Sequence, residues 1–241
     1  MYYCTEIRAG NVCETIKSYT KFKGGNQRRG ARKQKTPEQM EKQNYRNAVK
    51  KLTRLLNCNF HDGDLWVTLT YKKDKRPLPK EAKKQIRNFI KRIRCGFKKK
   101  RESLKYITVT EYKNKAIHHH LVINNPDGIN VAKLLQEKWK MYGIVHIKPL
   151  YSNGQYKELA EYMVKETEKT FREQDGGRMQ RWSSSRNLKK PKVRCRIVRA
   201  SRWNPQPKAK KGYVLDVDSI VNGVNAYTGR EYQTYTMVRL E

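Results

Sequence analysis

The chain has 241 residues, which is enough for one or two compact domains with a hydrophobic core of their own. Its 55 lysines and arginines against 22 aspartates and glutamates give a net charge of +33. This excess predicts a polyanionic partner, with nucleic acid as the leading candidate and an anionic membrane surface as the rival. No stretch approaches the roughly 18 apolar residues of a membrane span, which argues against a membrane protein.

The N-terminus and the cysteines indicate an intracellular protein. Residues 1–10 lack the apolar core of a signal peptide, so we expect a cytoplasmic location. The five cysteines are odd in number and none has C-x-x-C spacing, which argues against a disulfide framework or a zinc ribbon.

Residues 1–62 are predicted to form a basic tail followed by an amphipathic helix. Residues 18–37 are polar and basic without periodicity, which is typical of a mobile tail or loop. Thr36-Pro37-Glu38 then marks a helix start, and apolar residues follow at helical spacing as far as Cys58.

Residues 63–172 are predicted to form the core of the protein. Strands are expected at 65–71, 106–111, about 117–124 and 144–150, and helices at about 80–95, 131–139 and 156–170, with a tight turn at Asn114-Lys115. This order predicts a ferredoxin-like α+β fold, in which a central antiparallel sheet has helices on one face. The last helix falls outside the six-element core and is free to pack on the other face.

Residues 173–241 are predicted to form a basic, strand-rich extension. Val193–Ile197 alternates like an edge strand with its arginines on one face, and 213–217 and 232–240 are further strand candidates. Turns are expected at Asn222-Gly223 and Thr228-Gly229. The chain has no G-x-x-x-x-G-K-[S/T] sequence and therefore no P-loop module.

Three consecutive histidines in the third core strand predict a metal site. Side chains alternate along a strand, so His118 and His120 share one face and His119 points to the other. A hairpin centred on Asn114-Lys115 places Glu111 opposite His118. Two imidazoles and a carboxylate form a three-ligand site for Mn²⁺ or Mg²⁺ with open positions for substrate oxygens. The alternative is a polar, open sheet face without metal, and His119 is expected to be a hydrogen-bonded core residue.

The last core helix carries Tyr162 and Lys165, which are neighbours at i and i+3. A phenol is a poor nucleophile when it is protonated, and a nearby ammonium group or metal favours the phenolate. The alternative is an amphipathic tyrosine that only packs, since the chain has fifteen tyrosines.

Together, Val67-Thr68-Leu69-Thr70-Tyr71, His118-His119-His120-Leu121-Val122 and Tyr162-x-x-Lys165 resemble the three motifs of HUH endonucleases of the rolling-circle replication initiator class. The resemblance covers about 64–170 and is strongest to initiators of small bacterial plasmids and single-stranded DNA phages, including the microvirus type. His119 departs from the hydrophobe that the histidine motif usually has. Positions 158 and 166 are glutamates, so the chain resembles the single-tyrosine members.

The resemblance implies a reaction and its partners. A divalent ion, Mg²⁺ or Mn²⁺, held by Glu111, His118 and His120 would polarise the scissile phosphate of single-stranded or hairpin origin DNA. Tyr162 would attack, Lys165 would stabilise the phosphate or phenolate, and the products would be a 5′-phosphotyrosine and a free 3′-OH. A host polymerase and helicase would then act in the bacterial cytoplasm. The resemblance leaves the oligomeric state open.

The excess of basic residues is expected to follow the DNA backbone and to make binding sensitive to salt. The clusters are Arg28, Arg29, Arg32 and Lys33, the run 98–101, and the stretch 186–211. Trp182 and Trp203 flank the last of these and either stack on bases or pack in a core.

Two rival functions remain open from the sequence. A conjugative relaxase or a single-tyrosine transposase would use the same chemistry. A non-enzymatic basic nucleic-acid-binding protein would account for the charge but not for the histidine, tyrosine and lysine set.

Overall fold

The computed structural model describes residues 1–19, 36–113, 116–151, 155–172, 181–225 and 229–240. The chain divides into two compact units. The terminal unit comprises 1–58, 154–156 and 189–241, and the central unit comprises 59–153 and 157–188. Within the described ranges, no helix combines the length and the apolar character needed to cross a bilayer.

In chain order the elements are β1 (Tyr2–Ala9), β2 (Val12–Ser18), α1 (Pro37–Asn59), β3 (Leu65–Tyr71), α2 (Pro79–Lys99), β4 (Tyr106–Lys113), β5 (Ala116–Ile123), α3 (Val131–Trp139), β6 (Gly143–Pro149), α4 (Lys157–Arg172), β7 (Ser183–Ser184), β8 (Lys192–Val198), β9 (Tyr213–Val224) and β10 (Glu231–Arg239). A short 3-10 turn at Lys73–Lys75 precedes α2.

The central unit contains an antiparallel sheet of order β6-β3-β5-β4-β7. Its first four strands come from a β-α-β-β-α-β sequence whose first and third strands lie in the middle of the sheet. This is the arrangement of a ferredoxin-like α+β sandwich, and the predicted fold class is confirmed. All the helices and strands predicted between 63 and 172 are present, and α2 is longer than expected. The predicted turn at residues 114 and 115 lies outside the described residues.

The core of the central unit lies between the sheet and two helices. The strand β3 alternates strictly, so that Leu65, Val67 and Leu69 are buried while the residues between them are only partly covered. The helix α2 contributes a buried stripe at helical spacing, made of Ile86, Phe89, Ile90, Ile93 and Phe97. The helix α3 adds Trp139, which is fully buried and donates from its indole Nε1 to the Thr70 carbonyl at 2.9 Å. Truncation of an aromatic side chain in such a core typically costs about 3–5 kcal/mol.

The helix α4 packs on the opposite face of the same sheet, where it contacts β4. Its buried stripe consists of Ala160, Met163, Val164 and Thr167. The sheet therefore separates a hydrophobic layer with α2 and α3 from a layer that α4 covers only in part. The predicted placement of the tyrosine helix on the other face is correct.

The terminal unit contains a second antiparallel sheet of order β8-β1-β2-β10-β9. The hairpin β1–β2 was not predicted, because residues 1–18 were interpreted as part of a basic tail. The sequence analysis also placed 1–62 and 173–241 in separate extensions, whereas strands from both form this one sheet. Much of the predicted mobile loop, residues 20–35, lies outside the described residues.

The predicted turn at Asn222-Gly223 is wrong, because both residues lie inside β9. The Asn222 amide donates to the Pro205 carbonyl at 3.1 Å, and its Oδ1 accepts from Gln233 at 2.9 Å, so the side chain is engaged across the sheet. A Cβ at Gly223 would lie 2.9 Å from the ring of Tyr232, so glycine is needed here for close packing. The predicted edge strand at 193–197 is present as β8, which lies at the margin of the sheet.

Candidate active site

The strand register assembles the predicted metal-binding residues on the sheet face away from α2 and α3. Glu111 is directly opposite His118 across β4 and β5, as expected, and Thr68 on β3 is directly opposite His120. Because faces alternate along a strand, His118 and His120 lie on this face together. The face is polar at the centre of an otherwise apolar sheet, which is unusual for a purely structural strand.

The carboxylate of Glu111 and the imidazole of His120 are in direct contact. Glu111 Oε2 lies 3.0 Å from His120 Nε2, and the two side chains are only 6% and 5% exposed. On the other side of the ring, Thr68 Oγ1 lies 3.2 Å from His120 Nδ1. The ring is thus fixed at both nitrogens, and either a proton or a cation is required between Nε2 and the carboxylate.

The spacing of this pair fits two adjacent ligands of one ion. Ligand atoms about 2.0–2.1 Å from an octahedral ion, at right angles to each other, lie about 2.8–3.0 Å apart. The observed 3.0 Å between Glu111 Oε2 and His120 Nε2 matches this value. Among the described residues, however, no three histidine, cysteine, aspartate or glutamate side chains form a group that could hold a metal ion. His118 is half-buried on the same face but does not complete such a group with the other two, so the three-ligand site stays a prediction.

The helix α4 brings Tyr162 to this face. The Tyr162 ring lies edge-on to the His120 ring, with centroids 5.5 Å apart, and its side chain is 43% exposed. Tyr162 lies beside the buried stripe of α4 and is not part of it, so a substrate can reach it. Lys165 is exposed three residues later on the same helix, at the spacing that makes two side chains neighbours.

A residue that the sequence analysis did not assign to the site is Trp66. Its ring stacks on His120, with centroids 5.2 Å apart and an interplanar angle of 7°, and meets the Tyr162 ring edge-on at 5.9 Å. It thus links the histidine to the tyrosine. The signal was present in the sequence, because Trp66 is the only large apolar residue among the outward-facing positions of β3, two residues before Thr68.

His119 does not belong to the site, as expected. It points into the core with α2 and α3, where it is fully buried. The Tyr71 hydroxyl lies 3.0 Å from its Nε2 and the Thr110 hydroxyl 2.9 Å from its Nδ1. Burial, together with the neighbouring His120 and His118, lowers the pKa of His119 to about 3, so the imidazole is neutral at physiological pH.

Comparisons with known proteins address the same part of the chain. A family model described as a replication-associated protein of the ORF2 type matches residues 64–171, just under half of the chain. This range begins one residue before β3 and ends within α4, so it includes all the residues placed in the candidate site. No curated protein and no solved structure gives a significant match. The family match supports a replication-associated protein with a role in the initiation of replication.

Proposed function

We propose that this protein is a replication initiator that nicks and rejoins single-stranded origin DNA through a 5′-phosphotyrosine on Tyr162. The observation that carries the proposal is the exposed Tyr162 ring packed against His120, whose Nε2 meets a buried carboxylate. Tyr162 and His120 come from separate elements within the range that matches a replication-associated family. The proposal accounts for both this arrangement and the net charge of +33.

The reaction is a transesterification that balances without a nucleotide cofactor. The Tyr162 phenolic oxygen attacks phosphorus in line, a tyrosyl O–P bond forms, and the P–O3′ bond breaks. The phenol loses one proton to solvent, and the departing 3′ oxygen gains one. One phosphodiester is exchanged for another of similar energy, so attack by a 3′-OH on the phosphotyrosine reverses the step and joins the ends.

Lys165 is proposed to supply the positive charge nearest to the nucleophile. Its ammonium group favours the phenolate form of Tyr162 and neutralises charge on the phosphate in the transition state. The exposed position of Lys165 on α4 is compatible with contact to a substrate that lies over the sheet face.

Glu111, His118 and His120 are proposed to hold Mg²⁺ or Mn²⁺, which when bound would polarise the scissile phosphate. The remaining residues position this set. Thr68 fixes the Nδ1 side of His120, and Trp66 covers the face of its ring. Both therefore hold the imidazole in the orientation that presents Nε2 to Glu111.

The substrate is proposed to be a single-stranded segment or a hairpin loop. An in-line attack requires the scissile phosphate to approach the Tyr162 hydroxyl closely, and an unpaired strand reaches such a group more easily than a rigid duplex does. Trp66 is half-buried, and its remaining exposed edge can contact an unstacked base. The free 3′-OH would prime a host polymerase, with a host helicase opening the duplex ahead of it.

The test is covalent capture of labelled DNA by the full chain. A pool of single-stranded oligonucleotides covering both strands of the DNA that flanks the gene is incubated with the protein and Mn²⁺ and resolved on a denaturing gel. We expect a labelled protein band that disappears in Tyr162→Phe. Two controls should keep the band: Tyr151→Phe, which removes the hydroxyl of a tyrosine that is 77% exposed, and Tyr156→Phe, which alters a buried one.

The outcomes separate the rival functions. Tight binding without an adduct under Mg²⁺, Mn²⁺ or Zn²⁺ would identify a non-enzymatic nucleic-acid-binding protein. An adduct that forms only at the ends of a mobile segment, and not at an inverted repeat beside the gene, would identify a transposase. An adduct at an inverted repeat that supports primer extension from the released 3′-OH identifies an initiator.

A further inference from the structure

A second basic surface of the central unit lies between α2 and β7. It is an open groove of about 1060 Å³. The C-terminal half of α2 and the residues that follow it form one wall, and the short strand β7 with its flanking residues forms the other. This groove, which we call the α2–β7 groove, contains no residue of the candidate active site.

The α2–β7 groove has a strong positive charge. Its lining contains five exposed cationic side chains and one carboxylate, Glu102; the cations are Arg87, Arg94, Lys98, Arg101 and Arg186. Positions 87, 94 and 98 fall on one stripe of α2 because they are seven and four residues apart. The cations therefore converge on one concave surface and are not scattered over the helix. A patch of this kind attracts a polyanion.

The opposite wall offers small polar groups on a fixed backbone. Ser183–Ser185 and Asn187 line it. The Asn187 amide donates to the Ser103 hydroxyl at 2.9 Å and to the Leu104 carbonyl at 3.1 Å. The Ser185 amide donates to the Tyr106 carbonyl at 3.0 Å, which ties this wall to the edge of β4. Hydroxyl and amide groups next to arginines are the usual donors to phosphate oxygens.

Arg101 occupies a backbone conformation that L side chains seldom adopt. Its φ is +57°, and it is the only described non-glycine residue with a positive φ. It follows α2 directly, where helices commonly end on a glycine because a Cβ is unfavourable there. A costly residue at this position needs a compensating role, and its side chain lines the groove.

From these observations we propose that the α2–β7 groove binds the phosphate backbone of double-stranded DNA. The recognised chemistry is a row of phosphodiesters, contacted by arginine, lysine, hydroxyl and amide groups. A single-strand site would expose aromatic rings for stacking, whereas the aromatic residues in the lining, Phe97 and Tyr106, are buried. A duplex needs no such platform.

This groove and the candidate active site serve different parts of one DNA molecule. Tyr106 at the start of β4 borders the groove, and Glu111 lies five residues further along, on the other face of the same strand. Five residues of strand span about 17 Å. Binding at the groove does not require Tyr162 to act as a nucleophile, so it can be tested without divalent ions and independently of the nicking proposal.

The test is fluorescence anisotropy of the full chain with two labelled probes, a duplex hairpin and an unstructured single strand of equal length. Arg94→Ala/Lys98→Ala removes two groove cations. Its matched control, Arg92→Ala/Lys99→Ala, removes the same charge from exposed positions of the same helix outside the lining. We expect at least about a tenfold loss of duplex affinity in the first variant only. The slope of log K against log salt should become shallower by about 1.8, the value for two lost phosphate contacts.

The proposal is overturned if the two double variants behave alike, since charge alone would then explain the binding. It is also overturned if the groove variant loses affinity for the single strand as much as for the duplex. A second variant removes any doubt about folding: Arg101→Gly relieves the positive φ, so the melting temperature should stay the same or rise while duplex affinity falls. Unchanged duplex affinity in Arg101→Gly would count against the groove.

Discussion

The buried His119 should make the stability of the central unit depend on pH. In the folded chain its pKa is about 3, whereas in an unfolded chain a histidine has a pKa of about 6.5. Between these two values the unfolded state binds a proton that the folded state does not. A folded pKa below the unfolded one means that this residue lowers the free energy of unfolding as the pH falls below about 6.5.

The magnitude follows from the two pKa values. Between about pH 7.5 and about pH 5, proton uptake by the unfolded state lowers the free energy of unfolding by about 2 kcal/mol. This figure is insensitive to the folded value, because any folded pKa of about 4 or below gives nearly the same result over this window. Complete titration, down to the folded pKa of about 3, corresponds to about 5 kcal/mol.

The local geometry explains why the charged form is so unfavourable. His119 has a hydroxyl at each ring nitrogen, from Tyr71 and Thr110, and a hydroxyl can either donate or accept. The neutral ring is therefore satisfied in either tautomer. A protonated ring would require both hydroxyls to accept, and it would place an uncompensated charge among Trp139, Tyr71 and the apolar side chains around them.

The assay is urea unfolding of the wild type and His119→Gln at both pH values. Glutamine can keep a donor and an acceptor in the pocket but cannot be protonated. At about pH 7.5 the difference between the two proteins reports lost packing, and its change at about pH 5 isolates the proton, because the carboxylates are common to both. We expect the wild type to lose about 2 kcal/mol more than the variant. Equal pH dependence in the two proteins would refute the reasoning.

Three further predictions follow from other contacts. Lys165→Ala should slow formation of the Tyr162 adduct by about 100-fold in a time-resolved gel assay and leave anisotropy binding unchanged, whereas a loss of binding alone would remove Lys165 from the chemistry. Gly143→Ala should lower the free energy of unfolding in urea by about 1–3 kcal/mol, because its Cβ would overlap the Thr70 carbonyl, and an unchanged value would contradict this. Burial raises the pKa of Glu6, but hydrogen bonds from Lys210 and Arg8 outweigh this and hold the pKa below its usual 4.5, so the stability that Glu6 contributes should be lost as the pH falls through that range. In Glu6→Gln, urea unfolding should show a flatter acid limb, and an acid limb as steep as that of the wild type would show that Glu6 does not contribute.

The central unit could be predicted from the sequence because its information is local. Each strand and helix between 65 and 172 carries its own periodicity, and the order of elements restricts the sheet to few topologies. The opposition of Glu111 and His118 followed from one hairpin. These features depend on neighbours in the chain or on a single turn.

The terminal sheet could not be predicted for the opposite reason. The strands β1 and β2 pair with β8 and β10, which lie far away in the sequence, and no local pattern encodes such a partner. In β9, Asn222-Gly223 has the composition of a turn but is held in a strand by contacts with distant residues.

The site was only partly accessible from the sequence. Periodicity placed His118, His120 and Tyr162 on the correct elements, but the direct contact between Glu111 and His120 depends on side-chain conformations. The stacking of Trp66 on His120 depends on the register between β3 and β5. Tertiary pairing decides such contacts, and the intrinsic preferences of each segment do not.

The position of β10 in the terminal sheet has a consequence for biosynthesis. This strand lies between β2 and β9, so the N-terminal hairpin has an open hydrogen-bonding edge until β10 has emerged from the ribosome. About 200 residues separate β2 from β10, which corresponds to roughly 10–40 s of translation at about 5–20 residues per second. The central unit is by then already synthesised, so the earliest part of the chain to be made is among the last to find its permanent partners, and the nascent hairpin needs protection from aggregation in the interval.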